Sequence, residues 1–199
     1  AQGPSTEEDR IGPDGLVSDE RPQDDEALGD DWVALSDPDY SELELKLVQT
    51  ALSGSRMSAG PMVTRFEQNF AEYLGRRHAV SVASGTLATW LALRALGIGP
   101  GDEVIAAPHG WHQVAQAVTL VGATLVFSDI HYWTGCPDPL RAQAQITPRT
   151  KALIAGNVNG HPAAWQALRA LADQHGLALI EDSTEAIGSR YQGRLVGSF

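Results

Sequence analysis

Short apolar segments alternate with helix-like patterns along most of the chain, and this alternation limits the possible folds more than any other feature. The predicted strands are 78–82, 103–107, 124–128, 152–155 and 177–181. Helical spacing of apolar residues predicts helices over 86–96, 114–121, 140–145 and 165–175. Such alternation is typical of a mostly parallel sheet with helices on both faces, so we predict an α/β fold.

Two further helices are predicted ahead of this alternation. Apolar residues recur with helical spacing from Leu43 to Leu52, and Gly54 ends the pattern. A second pattern covers 63–74 and stops at Gly75. With 199 residues, 43% of them hydrophobic, the chain can bury one substantial core. We therefore predict one folded unit over 39–199.

The first part of the chain has a different composition. Residues 1–31 hold eleven acidic residues against Arg10 and Arg21, a net charge of −9 out of −11 for the whole chain. Because this stretch is acidic and poor in large apolar residues, burial cannot offset the entropy lost on ordering. We expect 1–38 to be disordered or docked on a partner. The charge also argues against binding nucleic acid through its phosphates.

The sequence also bears on location and on metal or disulfide sites. No run of 18 apolar residues is present and the N-terminus is acidic, so neither a membrane span nor a signal peptide is predicted. The lone Cys136 cannot form an internal disulfide, and no His/Cys cluster accompanies it. We expect a cytoplasmic protein with a reduced thiol and no metal site.

In open parallel sheets, ligands bind at the carboxyl ends of the strands, and one loop there suits an anion. Ser84-Gly85-Thr86 follows a predicted strand and precedes a helix, where exposed amides favour a phosphate. A simple helix cap explains the same residues. The glycine-rich segment 97–101 follows a helix and precedes a strand, which is the reverse of a dinucleotide-binding fingerprint. We interpret that segment as a turn.

Two further loops carry candidate site residues. Trp111, in the loop 108–112, could stack on a flat ligand or could serve ordinary packing. Asp182 follows a strongly apolar strand, and an acid there is costly unless it is paired. Pairing with a cationic ring nitrogen would satisfy it, and so would capping of the next helix.

In their order and spacing, these segments resemble the DegT/StrS family of pyridoxal-phosphate-dependent sugar aminotransferases. The resemblance covers 40–199. The further matching motifs are Leu52-Ser53-Gly54, Gly60-Pro61, Phe66-Glu67, Tyr73-Leu74-Gly75, Gly160-His161-Pro162-Ala163, Glu181-Asp182, Tyr191-Gln192-Gly193 and Val196-Gly197-Ser198.

The resemblance implies a fold-type-I large domain with pyridoxal 5′-phosphate as cofactor. It implies that Ser84, Gly85 and Thr86 bind the cofactor, the last two at its phosphate. Trp111 would then stack on the pyridine ring, and Asp182 would act in catalysis by pairing with the ring nitrogen. A protonated ring nitrogen is what makes this cofactor an electron sink.

Several residues depart from the family pattern. Glu185, a predicted cofactor contact, stands where Gln or His usually lies near the cofactor's phenolic oxygen. A second anion facing that oxygen is unfavourable unless one of the two is protonated. Asn157 and Asn159 stand where His and Tyr are common. The Trp111 loop is one residue short, which leaves His112 as an alternative stacking residue.

The family's covalent lysine has no counterpart in this chain. The sequence stops at Phe199, before the serine, the lysine and the small domain that follow in the family. Only Lys46 and Lys151 are present, and neither occupies that place. We expect another polypeptide or a missing segment to supply the lysine, because a Schiff-base lysine must lie beside the cofactor aldehyde with a depressed pKa.

The completed enzyme would transfer an amino group to a keto-sugar or related carbonyl. The resemblance implies glutamate or glutamine as donor, and a homo- or hetero-oligomer whose subunits share the site. The alternative is a non-catalytic regulatory or binding subunit that keeps the fold. Glu185, Asn157 and Asn159 favour that alternative. A nucleotide-binding dehydrogenase is disfavoured because its glycine fingerprint is missing.

Overall fold

The computed structural model describes residues 39–56 and 58–199, which divide into two compact units between Ser53 and Gly54. The predicted acidic tail, 1–38, lies outside the described residues. Helix α1, Glu42–Leu52, begins at a capping box. The Ser41 hydroxyl accepts from Leu43 N at 3.1 Å, and the Glu44 carboxylate accepts from Ser41 N at 2.7 Å.

The second unit contains a four-stranded parallel sheet. Its strands are β1 (Glu103–Ala106), β2 (Thr124–Phe127), β3 (Thr150–Gly156) and β4 (Ala178–Asp182), in the order β2-β1-β3-β4. Parallel neighbours need crossover connections, which are supplied by α4 (Gln113–Leu120), α5 (Pro139–Ala144) and α6 (Trp165–His175). The order reverses between β1 and β3, because β2 and β3 lie on opposite sides of β1.

The sheet separates two apolar cores. On one face Ile105 and Leu153 pack with Trp165 and Leu168 of α6. On the other face Val104 packs with residues from α3 (Gly85–Ala95) and α4. Successive strand residues point to opposite faces, so the continuous apolar run of β1 serves both cores. The predicted α/β fold with helices on both faces is confirmed.

One local prediction was wrong, and one element was missed. Segment 78–82, predicted as a strand, joins no sheet among the described residues. No neighbouring backbone offers it a ladder, and Ser81 N donates instead to Glu67 Oε1 at 2.6 Å. Conversely, a hairpin of β5 (Arg190–Tyr191) and β6 (Arg194–Leu195) was not predicted. Its two-residue turn has φ of 49° at Gln192 and 83° at Gly193, as a type I′ turn requires.

The remaining helix of this unit, α2, spans Pro61–Tyr73. None of the helices within 39–56 and 58–199 is long and apolar enough to cross a membrane. In the same residues, no group of three or more His, Cys, Asp or Glu side chains could hold a metal ion. Cys136 is a free, buried cysteine whose thiol donates to His161 O at 3.3 Å.

Candidate active site

A cleft lies at the carboxyl edge of the sheet, where the strand order reverses. It is open to solvent, and its walls come from the loops after β1, β3 and β4. In open α/β sheets this reversal is where ligands bind. The polar and aromatic lining residues are His109, Trp111, Asn157, Asp182, Thr184 and Glu185.

Trp111 lies in the loop between β1 and α4. Its side chain lines the cleft and is 61% exposed, so its ring has apolar surface left to contact a ligand. The indole Nε1–H donates to Glu185 Oε1 at 2.5 Å. His112, the alternative stacking residue, precedes α4 as its N-cap and does not line the cleft.

Asp182 is the last residue of β4 and is half-buried. Its Oδ1 accepts from Thr184 N at 3.2 Å and from Thr184 Oγ1 at 2.8 Å. Its Oδ2 accepts only from Gln113 Nε2, at 3.3 Å. A carboxylate oxygen can accept about two hydrogen bonds, so Oδ2 retains capacity for a further donor. Oδ1 of Asp182 thus stabilises the turn that follows β4, while Oδ2 stays available toward the cleft.

The Ser84-Gly85-Thr86 loop does not line the cleft, but Gln113 lies between Gly85 and Asp182, which does. The Ser84 side chain caps α3 by accepting from Leu87 N at 3.3 Å. A β-carbon on Gly85 would lie 2.6 Å from Gln113 Oε1. Glycine at this position therefore lets the N-terminus of α3 approach the side chain that also contacts Asp182. The amides of Gly85 and Thr86, which begin the helix and have no acceptor within it, suit a phosphate.

Gln113 was missed by sequence reasoning, which stopped at His112. It is the first residue of α4, whose sequence QVAQAVTL is largely apolar. A polar residue that begins such a helix, directly after an aromatic loop, is the sequence signal that could have identified it, and the structure shows it half-buried.

Each carboxylate oxygen of Glu185 accepts one hydrogen bond, one from a side chain and the other from the backbone. Oε1 accepts from the Trp111 indole, and Oε2 accepts from Asn159 N at 3.0 Å. Asn159 has φ 49° and ψ 39°, in the left-handed region. Asn is one of the few residues enriched in that region, which gives the departure at Asn159 a conformational reason.

Asn157 is 2% exposed, and its amide is fully hydrogen-bonded inside the protein. Oδ1 accepts from Ala163 N and from Trp165 Nε1, both at 2.8 Å. Nδ2 donates to Glu181 Oε1 at 3.1 Å and to Ser183 Oγ at 2.8 Å. These four bonds use its hydrogen-bonding capacity, so Asn157 connects the ends of β3 and β4.

Glu181 collects donors from three parts of the chain. Besides Asn157, Oε1 accepts from Ser183 Oγ at 2.9 Å and from Gly197 N at 2.5 Å. Oε2 accepts from Phe199 N at 2.7 Å. A carboxylate with this many N–H and O–H donors is well satisfied despite partial burial. It fixes the segment 197–199 against the carboxyl end of β4.

The two lysines lie in different compact units. Lys151 is the second residue of β3, and Gly156 at the far end of that strand lines the cleft. Five strand residues span about 16 Å, so Lys151 lies at the opposite edge of the sheet. Lys46 lies on α1 in the other compact unit and pairs with Glu42 at 3.4 Å.

Comparison with known proteins gives a consistent assignment. A model of the DegT/DnrJ/EryC1/StrS aminotransferase family matches residues 38–199. Spore coat polysaccharide biosynthesis protein SpsC of Bacillus subtilis is 42% identical over 155 residues, covering 78% of this chain and 40% of that protein. dTDP-3-amino-3,4,6-trideoxy-alpha-D-glucose transaminase of Streptomyces venezuelae is 45% identical over 162 residues, covering 80% and 43%.

Solved structures agree. The S. venezuelae DesV structure, in complex with a ketimine intermediate, has a TM-score of 0.74 at 45% identity, covering 79% of this chain and 42% of that one. The PLP-form of the putative sugar aminotransferase Spr1654 of Streptococcus pneumoniae has a TM-score of 0.77 at 29% identity, covering 83% and 46%. The chain thus spans less than half the length of these relatives.

Proposed function

Since the chain belongs to the DegT/DnrJ/EryC1/StrS aminotransferase family, we propose that residues 39–199 form the incomplete cofactor-binding large domain of a pyridoxal-phosphate-dependent aminotransferase. The observation that carries the proposal is that one cleft, at the reversal of strand order, is lined by the exposed ring of Trp111 and the carboxylate of Asp182. An aromatic face and a carboxylate in one cleft suit a flat ring that carries a basic nitrogen.

The residues present fit pyridoxal 5′-phosphate. Asp182 Oδ2, with one donor at 3.3 Å, can accept a hydrogen bond from the ring nitrogen and hold the proton there. Trp111 offers apolar surface to the ring. The N-terminus of α3, with Gly85 and Thr86, offers amides to the phosphate, while Ser84 keeps the helix capped. When bound, the cofactor supplies an electron sink for labile bonds at the amino-acid carbon.

In this proposal the covalent lysine lies outside these 199 residues. The two curated relatives are matched over 40% and 43% of their lengths. Lys151 stands at the opposite edge of the sheet from the cleft. We propose that a second polypeptide, or a segment beyond the present one, carries the lysine and the small domain within a homo- or hetero-oligomer. A cytoplasmic location stays part of the proposal on the sequence argument.

The acceptor is proposed to be a keto-sugar or related carbonyl compound. One relative is named for spore coat polysaccharide biosynthesis and the other for a dTDP-linked amino sugar, which supports a sugar substrate. The amino donor would be an amino acid, with glutamate or glutamine as first candidates.

The first test is cofactor binding by the chain itself. Pyridoxal phosphate is titrated into the protein by equilibrium dialysis, alongside Asp182→Asn, Trp111→Phe and the control Trp133→Phe. Trp133 is 84% exposed and does not line the cleft. We expect Asp182→Asn to weaken binding by about tenfold, which corresponds to one charge-assisted hydrogen bond. Equal affinity in all four proteins would refute the assigned site.

The second test concerns the lysine. The natively expressed chain is purified with any associated polypeptide, treated with pyridoxal phosphate and borohydride, and mapped by mass spectrometry. We expect the label on a lysine outside these 199 residues, and loss of cofactor absorbance when an amino donor is added. Stoichiometric label on Lys46 or Lys151 would contradict the proposal.

A non-catalytic subunit that keeps the fold is the second candidate. Asn157 favours it, because its four hydrogen bonds are all internal and leave none for a cofactor. A partner with its own complete cofactor pocket, together with no pyridoxal phosphate binding by this chain, would support this candidate over the enzyme.

A further inference from the structure

We propose that Glu185 is a positioning residue that fixes the indole ring of Trp111 at the wall of the cleft. The proposal rests on the proposed function, because the fixed ring is the one assigned to stack on the cofactor. It gives Glu185 a role within the protein instead of at the cofactor's phenolic oxygen.

The geometry begins at the Trp111–Glu185 contact. Trp111 is 61% exposed and precedes α4 in a loop, so little packing restrains its ring. Its one polar atom, the indole Nε1–H, donates to Glu185 Oε1 at 2.5 Å. Indole is a donor only, and a carboxylate is the strongest acceptor a side chain can offer. This bond ties the ring to the loop that follows β4.

A hydrogen bond to the second carboxylate oxygen restrains the side chain of Glu185. Oε2 accepts from Asn159 N at 3.0 Å. The backbone at Asn159 is left-handed, with φ 49°, and Gly160 follows with φ 78°. This tight turn after β3 presents its N–H to the carboxylate. Glu185 therefore connects the three loops that form the cleft, after β1, β3 and β4.

Charge favours the same assignment. An unpaired carboxylate facing an anionic oxygen of a ligand would be repelled. Here both oxygens of Glu185 already accept hydrogen bonds from N–H groups of the chain. These two donors stabilise the negative charge and occupy the side of the carboxylate that faces Trp111 and Asn159, which reduces the conflict that the sequence pattern alone suggests.

The primary test observes the indole proton directly. The chain has five tryptophans, so a ¹⁵N-indole-labelled sample gives five signals, and Trp111→Phe identifies one of them. We expect Glu185→Leu and Glu185→Asp to move the Trp111 signal and leave the other four in place. The Asp variant keeps the charge but withdraws the carboxylate by about 1.5 Å. Glu185→Gln keeps an acceptor oxygen at the same reach, so its Trp111 signal is expected to lie close to that of the unsubstituted chain.

The matched control is Glu72→Leu, which removes an exposed carboxylate from α2. It should leave the Trp111 signal unchanged. If Glu185→Leu disturbs all five signals, the substitution has changed the structure more widely, and the test of the Trp111–Glu185 bond then uses Glu185→Asp and Glu185→Gln. An unmoved Trp111 signal in Glu185→Asp, or a Gln variant no closer to the unsubstituted chain than the Asp variant, would overturn the proposal.

The functional readout is a double-substitution cycle on pyridoxal phosphate affinity. We expect Glu185→Leu to weaken binding about threefold to tenfold in the unsubstituted chain, as loss of one charge-assisted bond allows. In the Trp111→Phe background it should have no further effect. An equal loss in both backgrounds would refute positioning through Trp111. If the unsubstituted chain binds no pyridoxal phosphate, the proposed function fails, while the indole signal still tests the Trp111–Glu185 bond.

Discussion

Replacement of Asn157 by aspartate should test the connection between β3 and β4. The substitution keeps the size of the side chain, and Oδ1 can still accept from Ala163 N and Trp165 Nε1. The donor Nδ2 becomes an oxygen 3.1 Å from Glu181 Oε1. The Ser183 hydroxyl can donate to only one of the two carboxylates. An interior hydrogen bond is therefore exchanged for a repulsion between like charges.

The magnitude follows from that distance. Two unit charges about 3.1 Å apart repel by about 5 kcal/mol at an effective dielectric constant near 20. Because Glu181 is half-buried and one of the pair can take up a proton, we expect a smaller loss of unfolding free energy, about 2–4 kcal/mol at pH 8. Repulsion raises the folded-state pKa of one carboxyl above its unfolded value. The loss is therefore complete above that raised pKa and is relieved as the pH falls through it.

Urea unfolding followed by circular dichroism at pH 8 and pH 5.5 measures both effects. Asn69→Asp is the matched control, since Asn69 is exposed on α2, and it should change the unfolding free energy by less than about 0.5 kcal/mol. An Asn157→Asp protein as stable as the unsubstituted chain at pH 8 would refute the reasoning. A loss that stays the same at pH 5.5 would show that like-charge repulsion is not its cause.

Two further predictions concern opposite edges of the sheet. Gly85→Ala should displace the flexible end of Gln113 and break its contact with Asp182. The affinity for pyridoxal phosphate should therefore fall severalfold, while the unfolding free energy changes by about 1 kcal/mol or less. Gly99→Ala, whose β-carbon would lie 3.6 Å from Val121 O, is the control, and equal affinity in both variants would contradict the prediction. At the amino edge, the Thr147 hydroxyl and then Arg149 hold the pKa of Glu103 below its ordinary value of 4.5. The stability that Glu103 contributes is therefore present above pH 4.5 and lost as the pH falls through its folded-state pKa. The unfolding free energy of Glu103→Gln should consequently fall less steeply with decreasing pH than that of the unsubstituted chain. An equally steep fall at acid pH in both proteins would refute this.

The sequence predicted those strands and helices whose buried residues recur at a regular spacing along the chain. The runs 104–106 and 177–180 are apolar because they lie between two cores, and the sequence shows this directly. Segment 78–82 has the same apolar character but was predicted wrongly, since a strand also needs a partner backbone, which periodicity does not reveal. The two-residue strands of the hairpin are too short to produce a periodic pattern.

The site was predictable in part for a related reason. Trp111 follows β1 and Asp182 ends β4, and the rule that carboxyl ends of parallel strands share an edge was enough to bring them to one cleft. The links among the loops were not predictable. The contact of Gln113 with Asp182 joins residues 69 positions apart, and the Trp111–Glu185 bond spans 74. Such pairings depend on side-chain geometry that no local pattern encodes.

The position of each strand in the sheet order has a consequence for motion within the native state. β1 and β3 are paired on both sides, whereas β4 is paired only with β3 among the described residues. Backbone amides of the inner strands should exchange with solvent only in rare, large openings, and those of β4 in smaller and more frequent ones. In this chain on its own, Trp111 follows an inner strand, whereas Asp182 ends β4, which is paired on one side among the described residues. Transient fraying of β4 would therefore carry the acid away from a nearly stationary aromatic wall, and a ligand that bridges the two would slow amide exchange chiefly in β4.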